Sequence, residues 1–397
     1  VEQRRDPRRA QVAVAENFPV FGGSEIKFFE RGEKRGQRLA ERVELRALLR
    51  GKTERVRRKS PRLSREKRLR IKRGLQSEKI HRREISRKGR VPAKFFFERR
   101  REGAAFFFAF PRRLREKKGM RIEIDRPWDM HLHLRDGAML NLAAPHSARH
   151  FAGAVVMPNL VPPVADADAL RAYRSRVLRA AGTDAETFTP LMTLFLKNQT
   201  RAELEAARET PGFFAVKLYP AGATTNSDGG VRDFGDAEPT LRAMEKLGIP
   251  LLVHGESGGF VLDREAEFLP VYRDLARRFP KLKICMEHIS TAAALPLLDE
   301  FENLFATATL HHLLFTLDDL AGGLLAPHLF CKPIVKRPED RAALRAAVFS
   351  GHPKIMFGSD SAPHPVEKKE CAGAAGGVYD APVLLPALAA LFAAVPA

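Results

Sequence analysis

The chain has 397 residues, of which 44% are hydrophobic and 29% are charged, so it can bury a sizeable core and is not disordered throughout. It contains no uncharged apolar run of about 18 residues, which excludes an ordinary transmembrane helix. Its three cysteines form no CxxC pair, which excludes a disulfide scaffold and a cysteine-rich zinc site; we therefore expect a reducing, cytoplasmic environment.

The net charge of +20 is unevenly distributed along the chain. Residues 1–119 contain 39 Lys and Arg against 15 Asp and Glu, whereas residues 120–397 contain 29 against 33. The basic segment has too few periodic apolar positions for a core, so we predict a basic, disordered extension over 1–119 and a folded domain over 120–397. The extension is expected to bind nucleic acid only non-specifically, through its charge, with a dedicated binding tail or a transit peptide as the alternatives.

From residue 120 onward, short apolar runs alternate with amphipathic stretches. The predicted strands cover residues 128–133, 154–158, 189–196, 213–218, 250–254, 283–288, 304–309 and 355–359. The predicted helices cover residues 167–181, 201–209, 237–247, 264–279, 291–301 and 338–349. Eight strands with intervening helices predict an α/β fold of the (β/α)8 TIM-barrel type. A doubly wound open sheet is the competitor, but no GxGxxG motif follows the first strand.

Chemically active side chains stand at the ends of five predicted strands. They are His131 and His133 in the first strand, Lys217 in the fourth, His254 in the fifth, His288 in the sixth and Asp360 after the eighth. Residues two apart share one face of a strand, so both histidines of the first strand can reach one metal ion. Burial in an apolar strand favours the neutral amine of a lysine. Because the carboxyl ends of the strands converge on one face of a barrel, the set predicts a metal site.

These residues fall within seven separated sequence motifs. In chain order the motifs are RPWDMHLHLRDG (126–137), MPNLVPP (157–163), AVKLYPAGATTNS (215–227), PLLVHGE (250–256), EHIST (287–291), HLFCKPIVKR (328–337) and GSDSAPH (358–364). In them the chain resembles the dihydroorotases of the compact, monofunctional bacterial type, within the amidohydrolase superfamily. The resemblance does not include residues 1–119.

The resemblance implies two Zn²⁺ ions per chain. His131 and His133 would bind one ion, with Asp360 completing its coordination shell. The other ion would be bound by His254 and His288. Lys217 would react with carbon dioxide to form N6-carboxylysine, and its carbamate would bridge the two ions.

The resemblance also implies a reaction, the reversible cyclisation of N-carbamoyl-L-aspartate to (S)-dihydroorotate and water in pyrimidine biosynthesis. Asp360 would be the catalytic proton carrier. The remaining site residues would contact the substrate. Its free carboxylate would be bound by Arg135, Asn159 and His364, and its ring would be bound through main-chain atoms of Lys332 and Gly376. A mobile lid over residues 220–230 would include Thr224 and Thr225.

Several features depart from the family pattern or receive no role in it. His311, His312 and His328 lie in motif-like context, but we assign them no ligand role, and the cysteines have no predicted partner. Gly222 stands in the lid where the family often has Asn. Family chains usually continue well beyond the position of Ala397, so we expect a truncated C-terminal end with incomplete helical packing.

Alternatives of different classes stay open at this point. Another cyclic amidase, of the hydantoinase or allantoinase type, would share the metal ligands but not the three residues predicted for the substrate carboxylate. An inactive, truncated product is a second alternative, and a nucleic-acid-binding protein is a third. The oligomeric state also stays open, with a homodimer as one alternative.

Overall fold

The computed structural model describes residues 26–29, 121–184 and 186–394. The predictions made for residues 1–119 therefore lie outside the described residues, apart from a short strand, Ile26–Phe29. That strand and Arg121–Ile124 are separate from the large sheet. Among the described residues, none of the helices combines the length and the apolar composition needed to cross a bilayer.

Eight parallel strands form the large sheet of the described region. They are β1 (Trp128–Leu132), β2 (Gly153–Val156), β3 (Thr189–Phe195), β4 (Phe213–Leu218), β5 (Leu251–Val253), β6 (Ile284–Met286), β7 (Leu304–Ala308) and β8 (Ile355–Phe357). Each strand pairs in parallel with the next one along the chain, which is the arrangement of a TIM-type barrel.

The barrel is nearly closed between its first and last strands. Just beyond the end of β8, the Asp360 amide donates to the His131 carbonyl oxygen at 2.8 Å, and the His133 amide donates to the Ser361 carbonyl oxygen at 3.2 Å. Gly358 permits this approach, because a Cβ atom there would lie 2.8 Å from the Cβ atom of His131. The predicted (β/α)8 barrel is confirmed.

Helices connect the strands and cover the outside of the sheet. They are α1 (Gly137–Ala148), α2 (Ala167–Ala181), α3 (Arg201–Arg208), α4 (Phe234–Leu247), α5 (Arg264–Arg278), α6 (Leu295–Glu300), α7 (Leu310–Leu314), α8 (Leu317–Ala321), α9 (Pro338–Phe349), α10 (Val366–Lys369) and α11 (Leu384–Ala393). Their ends follow local chemistry: the Asp166 carboxylate accepts from the Ala169 amide at 2.8 Å where α2 begins, and Gly182 ends it with a φ of 68°.

Buried side chains alternate between two sides of the strands. In β5, Leu251 and Val253 pack outward against the helices, while Leu252 points into the barrel. The same alternation in β4 sends Val216 and Leu218 outward. Lys217, which lies between them, is therefore directed to the barrel interior, where it is fully buried.

The predicted strands agree with the observed ones to within two residues at each end. Helices were predicted less completely, since α1, α7, α8, α10 and α11 carry no clear amphipathic pattern. The predicted helix over 291–301 is wrong as a continuous α-helix. It is a 3-10 turn, Ala292–Ala294, followed by α6, because Pro296 lacks the amide hydrogen that an unbroken helix would use.

Candidate metal centre and active site

Two histidines at the end of β1 meet the aspartate that follows β8. The Nε2 atoms of His131 and His133 are 3.3 Å apart. The Oδ1 atom of Asp360 lies 3.5 Å from the first of these nitrogens and 3.2 Å from the second. All three side chains are buried. The i, i+2 spacing along β1 and the return of β8 to β1 therefore bring three potential ligand atoms to one point.

The histidines that follow β5 and β6 form a second pair beside the first. The Nδ1 atom of His254 lies 3.2 Å from the Nε2 atom of His288. The rings of His288 and His131 have centroids 4.9 Å apart, so the two pairs are neighbours on the carboxyl face of the barrel. The Nδ1 atom of His288 is buried and has no hydrogen-bond partner in the part of the chain that the structure describes.

Lys217 of β4 points into the barrel interior, towards the same group of side chains. Its side chain is fully buried, and its Nζ atom has no hydrogen-bond partner among the described residues. Burial lowers the pKa of this amine, against the opposing charge of Glu287. The Nζ atom lies 5.1 Å from the centroid of the Tyr219 ring. Burying a charged amine without a partner costs free energy, so burial favours the neutral, nucleophilic form of Lys217.

The donor set fits a metal centre of the kind that the sequence predicts. The ligand atoms of His131, His133 and Asp360 all lie within 4.8 Å of one another. Burial lowers the pKa of His133 to about 3, so its imidazole is neutral and can donate a lone pair. Imidazole nitrogens and carboxylate oxygens are the ligands of catalytic zinc sites. The amine of Lys217, which is buried without a partner among the described residues, is a further candidate ligand.

Two buried carboxylates each contact one ring nitrogen of a histidine and so fix the orientation of its ring. Glu287 contacts the Nδ1 atom of His131 and accepts from the Thr307 hydroxyl at 2.8 Å. Glu256 lies 2.7 Å from the Nε2 atom of His254. These contacts leave the Nε2 atom of His131 and the Nδ1 atom of His254 for a metal ion. The sequence analysis missed both glutamates, although each stands within two residues of a predicted ligand, in EHIST and PLLVHGE.

A third buried carboxylate, that of Asp129, binds the backbone next to Asp360 and at His131. Asp129 accepts from the Ser359 amide at 2.8 Å and from the His131 amide at 3.1 Å. Burial raises the pKa of Asp129 to about 6, partly offset by the bonds from Ser359. This residue ties the end of β1 to the loop after β8 and was also missed from the sequence.

Three residues of the site have left-handed backbones. The φ angles are 59° for Arg135, 42° for His288 and 47° for Asp360. Such angles are uncommon for residues other than glycine and cost about 1–3 kcal/mol each. At His288, the backbone amide donates to the Thr307 hydroxyl oxygen at 2.6 Å, which helps to hold this backbone conformation.

A cavity opens above the histidines. Residues predicted to contact the substrate line it, together with part of the predicted metal site: His133, Arg135, Asn159, Thr224, Thr225, His254, His288, Lys332, Asp360 and Gly376. Tyr219, Ala362 and Gly377 complete its wall. The structure therefore brings residues from all seven motifs to one cavity.

Comparisons with known proteins agree with this geometry. The profile of the family described as Amidohydrolase matches residues 124–377. The dihydroorotase of Helicobacter hepaticus is 45% identical over 276 residues, covering 68% of this chain and 79% of that protein. The crystal structure of Campylobacter jejuni dihydroorotase is 56% identical, with a TM-score of 0.63, over 68% of this chain and 77% of that one. This chain belongs to the dihydroorotase family of amidohydrolases.

Membership of the dihydroorotase family makes the chain a metal-dependent hydrolase of cyclic amides. A dihydroorotase from Saccharomyces cerevisiae, solved in complex with 5-fluoroorotic acid, is 37% identical with a TM-score of 0.63, over 67% of this chain and 78% of that one. Hydantoinases of known structure share the fold, but the L-hydantoinase of Arthrobacter aurescens is only 18% identical. The resemblance inferred from the seven motifs is confirmed.

Arg135 lies on the wall of the cavity and contacts His364, another of the residues predicted to bind the substrate carboxylate. The Nη2 atom of Arg135 lies 3.0 Å from the Nε2 atom of His364, and its Nε atom donates to the Pro363 carbonyl oxygen at 3.3 Å. Its Nη1 atom is buried without a partner in the described residues. His364 does not line the cavity itself; it holds Arg135 and contacts the Gly376 carbonyl oxygen at 3.0 Å.

The predicted lid is folded across the cavity. The Asn159 amide nitrogen donates to the Thr225 carbonyl oxygen at 3.0 Å, and the Lys332 amine donates to the Ala223 carbonyl oxygen at 2.9 Å. Thr224 is held within the lid, since its amide donates to the Ser227 hydroxyl at 2.9 Å. Two of the predicted substrate contacts therefore bind lid backbone here.

Tyr219 is a cavity residue that the sequence analysis missed. Its ring stacks on Phe195 at 5.1 Å, and its hydroxyl is buried without a partner among the residues that the structure describes. Burial raises its pKa well above the usual value, so the phenol keeps its proton. Its position two residues after Lys217, in KLYP, was the signal available in the sequence.

Proposed function

We propose that this chain catalyses the reversible cyclisation of N-carbamoyl-L-aspartate to (S)-dihydroorotate and water. The observation that carries the proposal is the placement of Arg135 on the cavity wall above the buried histidines and Lys217, with one guanidinium nitrogen that has no partner among the described residues. Among cyclic amides, a substrate with a free carboxylate suits this cavity, because a guanidinium binds a carboxylate with two parallel hydrogen bonds.

We propose that two Zn²⁺ ions bind at the base of the cavity. His131, His133 and Asp360 would hold one ion, and His254 and His288 the other. The carbamate of a carboxylated Lys217 would bridge them, and the lowered pKa of this buried amine supports its reaction with carbon dioxide. When bound, the ions supply a water of lowered pKa and polarise the amide carbonyl.

Asp360 is proposed to move the proton of the reaction. Burial raises its pKa, but the hydrogen bond to His133 and the charge of His288 outweigh burial and hold the pKa well below its usual value. The group is therefore a carboxylate at neutral pH and can accept a proton from water during ring opening. Ring closure needs the protonated group at the start, so lower pH favours closure.

The remaining cavity residues are proposed to bind and enclose the substrate. Arg135 and Asn159 would receive its free carboxylate, and His364, which contacts Arg135 outside the cavity, would have to exchange its present contacts to reach it as well. Lys332 and Gly376 would bind the ring through main-chain atoms, and Thr224 and Thr225 would exclude water from above. For the side chains of Asn159 and Lys332, this requires an exchange of their present bonds to lid carbonyl oxygens for bonds to the substrate.

Wider expectations rest on the same proposal. A role in pyrimidine biosynthesis and a cytoplasmic location follow from the reaction. Non-specific nucleic-acid binding by residues 1–119 and assembly as a homodimer stay predictions.

The proposal is tested by assaying the purified chain with N-carbamoyl-L-aspartate, with dihydroorotate and with hydantoin, which has no free carboxylate. We expect turnover of the first two compounds only, abolished by chelation and restored by Zn²⁺. Arg135→Gln should raise KM for dihydroorotate much more than it lowers kcat, whereas the exposed Arg208→Gln should change neither. Faster turnover of hydantoin than of dihydroorotate would contradict the proposal.

A further inference from the structure

A second group of metal-binding side chains lies outside the proposed zinc site. His311 and His312 belong to α7, directly after β7, and Cys331 lies in the segment before α9. All three are buried. We call them the His–His–Cys cluster. It shares no residue with the proposed zinc site, and the sequence analysis gave its members no ligand role.

The spacing of the cluster matches one ion. Its three ligand atoms lie within 4.8 Å of one another. The Cys331 Sγ atom is 3.8 Å from the His312 Nε2 atom, close to the separation of about 3.6 Å between sulfur and nitrogen ligands on one tetrahedral zinc ion. The Pro333 carbonyl oxygen lies 2.9 Å from that nitrogen and 3.2 Å from the sulfur, in reach of a fourth position.

The strongest observation in favour of a bound ligand is the lack of any partner for the ring of His311 among the described residues. His311 is 1% exposed, yet neither of its ring nitrogens has a hydrogen-bond partner in the described residues. Buried polar groups are nearly always paired, because leaving one unpaired forfeits its bonds to water. An ion held by the cluster gives one of these nitrogens a partner.

The protonation states of the two histidines in the cluster allow them to bind a cation. Burial lowers the pKa of His311 to about 3 and that of His312 to about 4, so both rings are neutral at pH 7. The Thr309 hydroxyl lies 2.9 Å from the Nδ1 atom of His312 and can either donate or accept, so the ring can free its Nε2 lone pair. The Cys331 thiol, whose pKa burial raises to about 12, would release its proton to solvent as the sulfur–metal bond forms.

We propose that the His–His–Cys cluster is a further metal site, which binds one thiophilic divalent ion such as Zn²⁺. Sulfur with two imidazole nitrogens is a ligand set that selects zinc over magnesium or calcium. The ion would join α7 to the segment that carries Lys332 on the cavity wall. Its role is therefore structural, as in other closed, buried zinc sites.

The test uses the full chain, stripped of metal by a chelator and titrated with Co²⁺ alone. Cobalt bound to a thiolate gives a charge-transfer band in the near ultraviolet, which the nitrogen and oxygen ligands of the proposed zinc site cannot give. We expect the band to saturate at about one ion per chain. Cys331→Ser should abolish it, and Cys371→Ser, which alters an exposed cysteine, should leave it unchanged.

A second variant covers the case in which Cys331→Ser does not fold. His311→Gln keeps the thiol but removes an imidazole, so Co²⁺ binding measured by the same band should weaken at least tenfold. Lys217→Ala should keep the band even if it is inactive, which separates this site from the proposed reaction. Absence of the band in the full chain, or its persistence in Cys331→Ser, would overturn the proposal.

Discussion

The surroundings of Lys217 favour its neutral amine without any hydrogen-bond partner among the described residues. The strand β4 directs it into the barrel, its Nζ atom has no partner in the described part of the chain, and burial lowers its pKa. A lysine buried for packing alone would be expected to extend its amine towards solvent or an acid. The environment therefore favours a chemical role for this side chain.

Replacing Lys217 by Ala should remove the proposed carbamate bridge. We expect loss of most activity and weaker retention of zinc, measured by turnover and metal analysis, with partial recovery when short carboxylic acids are added. The exposed Lys246→Ala is the matched control and should behave as the unmodified chain. Wild-type turnover in Lys217→Ala would show that the lysine only packs.

Asp360→Asn separates metal binding from proton transfer at one position. The amide oxygen can still reach a metal ion, but the group can no longer carry a proton, so we expect kcat to fall by about 10²–10⁴. KM for dihydroorotate should change much less. Asp299→Asn, at an exposed position, is the control. A loss confined to KM would count against the proton-carrying role.

At the scale of elements, the loop that carries His288 is anchored by a buried ion pair. Glu265 of α5 accepts from the Ser290 amide at 2.9 Å and from the Lys336 amine at 3.0 Å. Both charged side chains are buried, and Lys336 also donates to the Ser290 hydroxyl at 2.6 Å. This contact joins α5, the loop after β6 and the segment before α9.

Lys336→Met should leave Glu265 as an unpaired buried charge. We expect the free energy of unfolding, measured by urea denaturation, to fall by about 3–5 kcal/mol. The surface pair of Lys354 and the exposed Glu302, 3.5 Å apart, offers a matched control. Glu302→Gln should change stability by less than about 0.5 kcal/mol. Equal effects of the two substitutions would contradict this account.

At the scale of the whole molecule, the excess of basic residues and the proposed site residues lie in different parts of the chain. Residues 1–119 contain 39 basic and 15 acidic side chains, while every proposed ligand and substrate contact lies beyond residue 120. A segment that supplies no chemical group should not alter turnover. Its charge should still attract polyanions, through release of their counterions.

A chain that starts at Met120 should therefore keep its kcat within about twofold. We expect the truncation to remove no interaction as large as about 1.4 kcal/mol, the free energy that corresponds to a tenfold change in rate. The same change should abolish retention on heparin at low salt, whereas the full chain should elute at a salt concentration that reflects its charge. Both proteins are compared by steady-state turnover and by heparin chromatography. A large loss of activity in folded 120–397 would show that the extension contributes to the site.

The sequence by itself determined the barrel class and the residues proposed as metal ligands. Both depend on local rules: strand and helix periodicities involve neighbouring residues, and the i, i+2 spacing of His131 and His133 sets a shared face within one strand. Lys217 was identifiable for the same reason, because its apolar neighbours in β4 imply burial.

Only the tertiary structure decided how these residues are supported and what lies beside them. Glu287 contacts His131 across 156 positions of the chain, and Arg135 reaches His364 across 229. The His–His–Cys cluster likewise joins His312 to Cys331 across 19 positions. Such contacts depend on barrel closure and on the register between strands, which no local periodicity encodes, because the distance between two loops is set by the packing of every strand between them.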